Sequence, residues 1–367
     1  MLGPGNVSPG EILNSYVVTA FALGLLAAGA AVGQSVAPAA RQGPGIQAAQ
    51  DAREPAVLAQ CKQPPAAPPA RPPAGAAADT TPADYQVAPI PGVVAAGARW
   101  NVVWTETGNN ADGIIASTDG GLLVAQNDNS DVVKLDRGGK ASVIYTGTHT
   151  GGALSRNSHG VLFINERELN PAIWELSPVH KLVANRYHEE PLDCLGNVLN
   201  DLAAAANGGV YFTMGGLYYA DPHGAITQYG ENLRTNGIIL SADEKTLYVT
   251  NAGTLVAFDV QADGSLLKQR TLATLPGGGG DGSTIDADGR IYVTASKGIV
   301  VLAPDGNVLG TIPVPYGAIS VAFSGPDKKT LYAVVIKRSG KPGIAGIAGG
   351  EVLAMPMLAQ GYRGRAK

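Results

Sequence analysis

The chain has 367 residues, 45% hydrophobic and 15% charged, and a formal net charge of −4. No Lys/Arg cluster stands out, which argues against a nucleic-acid partner. The 49 glycines suit a turn-rich all-β protein better than a helical one. The two cysteines, Cys61 and Cys194, lie far apart, and the sequence gives no ground for pairing them or for reading a redox compartment from them.

Residues 12–40 carry no charge, and within them 16–32 (YVVTAFALGLLAAGAAV) form an apolar run followed by small residues. That pattern predicts a signal peptide or an uncleaved anchor over 1–37, with cleavage near 32–37 and an exported, periplasmic or secreted, protein. The segment before the run has no Lys or Arg and carries Glu11, and the run is just short of a comfortable span. The LAQC at 58–61 has the form of a lipidation box, but charged residues precede it where an apolar run belongs. Residues 38–92 are dominated by Ala and Pro, as in PPAAPPARPPAGAAA, and read as a disordered, extended linker. A membrane contact is expected only through the N-terminal anchor. Nothing in the sequence bears on oligomeric state.

From residue 93 the chain becomes repetitive. One β-rich phrase recurs six times, centred on Leu123 (GGLLVA), Leu162 (HGVLFI), Tyr211 (GGVYFT), Tyr248 (EKTLYVT), Tyr292 (DGRIYVT) and Tyr332 (KKTLYAV). The intervals are about 39, 49, 37, 44 and 40 residues. A period near forty with β-branched and aromatic runs and Gly/Asp/Asn turns predicts an all-β, six-bladed β-propeller over 93–362. A basic tail follows at 363–367. An open solenoid or a sandwich fits that spacing less well. Trp100 and Trp104 in RWNVVW are expected on a strand that helps close the ring.

Eleven or twelve residues before a phrase centre stand Asp112, Asn200, Asn236 and Asp281, in copies one, three, four and five. Equivalent offsets in a ring of blades face one axis, so these four belong together at the channel mouth. The second copy offers only Gly151 or a neighbour at this offset, and the sixth a position near Ser320. Asn and Asp before strands often do no more than cap turns. Four at one offset, each followed by Gly or Asp in a shared phrase, favour an oxygen-ligand site for a divalent cation.

Here the sequence resembles the senescence marker protein/regucalcin–gluconolactonase family. TNGIILSADEKTLYVTNAG at 235–253 carries the resemblance, with LNDLAAAANGGVYFT at 199–213, GDGSTIDADGRIYVTASKGIVVLAPDG at 280–306 and VAFSGPDKKTLYAV at 321–334. It covers about 112–334. The resemblance implies a six-bladed propeller with one divalent cation near the channel mouth. It places the metal ligands on Asp112, Asn236 and Asp281, and the substrate- or water-contacting amide on Asn200. It implies hydrolysis of a small lactone, with calcium as the first candidate cation and zinc, manganese or magnesium as alternatives. Asp281 and Asn200 are then the expected catalytic residues.

Two departures from the family pattern stand out. Its first-blade acid is usually Glu, where this chain has the shorter Asp112. Sugar-lactone members carry an Arg two residues before the third-blade Asn, where this chain has Val198, so a less polar substrate is expected. Arg234 is a candidate to supply charge from the next blade, and His149 a candidate acid–base group at the rim. The glycine run 277–282 lacks the helix and lysine of a phosphate loop and is expected to turn the chain into Asp281. No G-x-S-x-G elbow occurs, which disfavours a serine hydrolase. The competing functions are a non-catalytic, metal-stabilised binding propeller and a strictosidine-synthase-like enzyme.

Overall fold

The computed structural model describes residues 51–65, 87–338 and 347–367. The expected signal or anchor segment, and the linker apart from 51–65 and 87–92, lie outside the described residues. Six four-stranded antiparallel sheets make a six-bladed β-propeller. Blade 1 runs Ile114–Ala116, Leu122–Gln126, Asp131–Leu135, Ala141–Thr146, and blade 2 runs Ala153–Arg156, Leu162–Glu166, Ala172–Ser177, Lys181–Ala184. Blade 3 is Leu202–Ala204, Val210–Met214, Gly216–Ala220, Ile226–Tyr229, and blade 4 is Thr235–Leu240, Thr246–Asn251, Thr254–Val260, Leu266–Thr274. Blade 5 is Ser283–Ile285, Ile291–Ala295, Gly298–Leu302, Val308–Ile312.

Every phrase centre falls on the second strand of its blade. That strand is covered on both faces by neighbouring blades, so it reads as an unbroken apolar run rather than an alternation. Leu122–Gln126, Val210–Met214 and Ile291–Ala295 are buried at every position, whereas the outer strand Ala141–Thr146 is largely exposed. The core therefore lies in the wedges between blades. Ile238, Leu247 and Val249 of blade 4, for example, pack against Ala203, Tyr211 and Leu217 of blade 3.

The ring is closed by a strand from the other end of the chain. Blade 6 combines Gly317–Ser324, Thr330–Arg338 and Ile347–Pro356 with the earlier strand Asn101–Thr107, whose Asn101 and Thr107 pair with Ala354 and Gly349. Trp100 leads into this strand and donates its indole N–H to the Pro313 carbonyl at 2.8 Å. Val87, Ile90, Val93 and Val94 are buried against blades 5 and 6, so packing extends to both sides of residue 93.

Between blades 2 and 3 the chain makes its longest excursion on the mouth side. A two-residue hairpin pairs Arg186–Tyr187 with Glu190–Pro191, and a single tight turn follows at Leu192–Leu195. Cys194 in that turn is disulfide-bonded to Cys61, a pairing for which the sequence offered no ground. The bridge ties down residues 51–65, which carry a short helix, Glu54–Leu58. Among the described residues no helix is long and apolar enough to cross a membrane.

Candidate active site

Asp112, Asn200 and Asp281 each stand two residues before the inner strand of their blade, and Asn236 is the second residue of its own. The threonine that closes the repeated phrase holds three of them. Asn200 N–H donates to the Thr213 carbonyl at 2.8 Å and Asp281 N–H to the Thr294 carbonyl at 2.9 Å. In blade 4 the Gly237 N–H reaches Thr250 Oγ1 at 2.7 Å. Each site residue is thus placed by the second strand beside it, which is why the spacing to the phrase is constant.

The glycine of the shared Asp/Asn-Gly phrase has its own reason. At the mouth the inner strands converge so closely that a side chain would strike the next blade. A Cβ on Gly237 would stand 2.0 Å from the Asp281 carbonyl, and one on Gly282 2.7 Å from the Ile319 carbonyl. In blade 3 the equivalent residue is Asp201, whose carboxylate spans the gap and accepts the Ile238 N–H at 3.0 Å. Gly277, Gly278 and Gly279 all have φ between +67° and +82°, so the glycine run does turn the chain into Asp281 by left-handed backbone.

Side chains then link the blades. Asn200 Nδ2 donates to Asn236 Oδ1 at 2.6 Å. Asn127 Nδ2 donates to Asp112 Oδ2 at 2.7 Å. The central group is Arg167, just past the second strand of blade 2. Its guanidinium donates to Asp112 Oδ2 at 2.6 Å, to the Leu199 carbonyl at 2.9 Å and to the Asn200 carbonyl at 2.6 Å. Longer bonds reach Asn127 Oδ1 and Asn200 Oδ1, both at 3.3 Å. It lies directly over Gly152, where a Cβ would fall 1.8 Å from Cζ. Blade 2, which offers no polar residue at the shared offset, contributes a buried cation instead. The repeat pattern missed Arg167 because it stands five residues after a phrase centre. The only signal was a lone arginine just past the second strand of the one blade whose shared offset is occupied by glycine.

Burial, then the charges of Asp112 and Asp201, push the Asp281 carboxyl up to about 7, with Arg167 acting the other way. Among the described residues no side chain donates a hydrogen bond to Asp281, and Asp112 keeps Oδ1 clear of its two donors. Among them, too, no three His, Cys, Asp or Glu side chains form a metal-holding group. The expected set differs from such a group by mixing carboxylates with amides. Its oxygens, from Asp112, Asn236 and Asp281 with Asn200 alongside, suit a hard cation, and the crowding at Asp281 is what a cation would relieve.

The two rim candidates do not join this cluster. Arg234 is exposed, and its backbone N–H rather than its side chain bonds Asn251 Oδ1 at 2.7 Å. The guanidinium of the site is Arg167, not Arg234. His149 is more than half exposed and pairs with Glu168 at 3.4 Å, which raises its pKa, while its backbone carbonyl accepts the Arg167 N–H at 3.0 Å.

Comparison with known proteins agrees with this architecture. A gluconolactonase of Zymomonas mobilis is 30% identical over 172 residues, which are 37% of this chain and 47% of that protein. The chain spans about half the length of the curated relatives it matches. Among solved structures, a gluconolactonase from Xanthomonas campestris superposes with a TM-score of 0.61 at 22% identity, covering 78% of this chain and 99% of the other. The calcium-binding protein regucalcin from Agrobacterium tumefaciens gives 0.55 at 19% identity, covering 72% and 98%. Residues 138–337 match the family described as the SMP-30/Gluconolactonase/LRE-like region, and the chain belongs to that family.

Proposed function

We propose that the protein is an exported, metal-dependent lactonase that hydrolyses a small, sparingly hydroxylated lactone at the channel mouth. The observation that carries this reading is the convergence of Asp112, Asn200, Asn236 and Asp281 around a surplus of carboxylate charge. Zymomonas gluconolactonase and the Staphylococcus lactonase drp35, 28% identical over 53% of this chain, support the reaction class. The disulfide supports an oxidising compartment.

Asp112, Asn236 and Asp281 would hold the cation, with calcium the first candidate and zinc, manganese or magnesium the alternatives. When bound, it supplies Lewis acidity that polarises the ester carbonyl and acidifies water. Asp281 accepts the proton of the attacking water as its oxygen bonds the acyl carbon. Asn200 commits one Nδ2 hydrogen to Asn236, and the second is free to meet the carbonyl oxygen as charge develops on it. The ring C–O bond then breaks, and the leaving alkoxide takes up the proton held on Asp281 to give a hydroxy acid, which returns Asp281 to its carboxylate form.

Substrate polarity follows from the two arginines. Val198 removes the guanidinium that sugar-lactone members place in the third blade. Arg167 does not replace it, because its donors are already spent on Asp112, Asn127, Leu199 and Asn200. The reading is tested by assaying the full chain on sugar-acid and aliphatic lactones, with each cation and with EDTA, beside Asp281→Ala. Turnover should require metal, favour the aliphatic lactones and fall at least ~100-fold in the variant. One observation favours a binding propeller with a structural ion, namely that Asp112 is already tied to Arg167 and Asn127. That reading gains if EDTA lowers Tm and no lactone is turned over.

A further inference from the structure

The far end of the channel is filled by residues 361–367. The inner strands all begin at the mouth, so their last residues mark the opposite face. Tyr362 N–H bonds the carbonyl of Ile285, the last inner-strand residue of blade 5. Arg156, the last of blade 2, exchanges two backbone bonds with Ala366, at 3.0 and 3.2 Å. The buried Arg365 guanidinium donates to the carbonyls of Leu240 and Ser241 where the inner strand of blade 4 ends, at 2.9 Å for Ser241. Lys328 of blade 6 donates its Nζ to the Tyr362 carbonyl at 2.7 Å. Ala116, the last inner-strand residue of blade 1, lines with these a remaining cavity about large enough for one water. Among the described residues the segment is a plug at this end of the channel.

From this plug Lys367 reaches back up the channel and pairs with Asp201 Oδ1, both side chains being buried. Asp201 adjoins Asn200, and its two oxygens also accept the N–H groups of Leu202 at 2.8 Å and Ile238 at 3.0 Å. Three of the mouth's carboxylates, Asp112, Asp201 and Asp281, thus lie near two internal cations. Arg167 sits on Asp112 and Lys367 on Asp201, which leaves Asp281 without an ion pair among the described residues.

We propose that residues 361–367 form the floor of the site and that Lys367 is a positioning residue. As the counter-ion of Asp201, its charge sets how tightly the mouth holds a divalent cation and keeps that affinity below what a bare Asp201 would give. This rests on the metal-site reading above.

The test is calorimetric titration of the metal-free full chain at pH 8 with calcium chloride, and separately with zinc, manganese and magnesium chlorides. The proteins are the parent, Lys367→Met, Lys367→Arg and the double variant Asp201→Asn/Lys367→Met. Removing the ammonium should tighten calcium binding about tenfold, since a unit charge in a partly buried site acts strongly on a divalent ion. Lys367→Arg should match the parent, and the double variant, with the charge balance restored, should return to within about twofold of it. A merely structural plug predicts the opposite sign, with weaker binding alongside a lower Tm. Unchanged or weakened binding in Lys367→Met, with a calcium-binding parent, overturns this proposal alone. A parent that binds none of the four cations removes the metal-site reading and this proposal together.

Discussion

Gly152 shows how a residue without a side chain can be part of a site. It leaves the space in which the Arg167 guanidinium lies. A methyl group there would overlap Cζ, and the arginine would have to leave both Asp112 and the Asn200 carbonyl. Breaking a buried ion pair in this way costs roughly 3 kcal/mol. Gly152→Ala should therefore lower stability by about that much and abolish turnover without touching a titratable group; a variant with parental Tm and activity would remove Arg167 from the site. Next to Arg167, the buried Glu166 carboxyl is pushed up to about 7 by burial and by Glu168, opposed by His149. Its folded value lies above the unfolded one of about 4.3, so its contribution to stability is fully present below that pH and is lost as pH rises through about 7. Tm should fall between pH 5 and 8, and Glu166→Gln should flatten part of that slope. An identical slope in the variant would assign the effect elsewhere.

At the scale of elements, the excursion between blades 2 and 3 is the least propeller-like part of the described chain. It leads into Asn200, and the Cys61–Cys194 bridge fastens residues 51–65 to it. Lys62 adds a bond from Nζ to the His188 carbonyl at 3.1 Å, and Arg186 bonds Gln60 Oε1 at 3.0 Å. A bridge closing 133 residues of chain contributes roughly 2–4 kcal/mol by restricting the unfolded state. Reduction, or Cys61→Ser with Cys194→Ser, should lower Tm by several degrees and open Arg53 and Lys62 to trypsin while the blades stay protected. Equal digestion with and without reductant would show that the segment is held by other contacts.

At the scale of the molecule, two ends of the described chain complete the ring. Asn101–Thr107 supplies the outer strand of blade 6, and residues 361–367 shut the channel below the site. Among the described residues, the mouth at the other end is the face on which Asp281 is approached. Through such closure, residues far apart in the sequence meet: Lys367 pairs with Asp201, and Trp100 caps blade 5 at Pro313.

The sequence by itself determined the number of blades, the second strand of each and the four polar residues at the mouth. It could do so because a ring of equal blades converts equal spacing into equal position, and Thr213, Thr250 and Thr294 repeat that spacing as hydrogen bonds. It also identified the Trp100–Trp104 stretch as part of a closing strand. Only the tertiary structure decided the groups that break the repeat. Arg167 enters from the blade with no polar residue at the shared offset, Arg234 stays outside, Cys61 meets Cys194 across 133 residues, and Lys367 returns through the channel. None of these has a counterpart one period away, so periodicity carries no information about them. Their places follow from blade packing and from the charges left to be balanced at the axis.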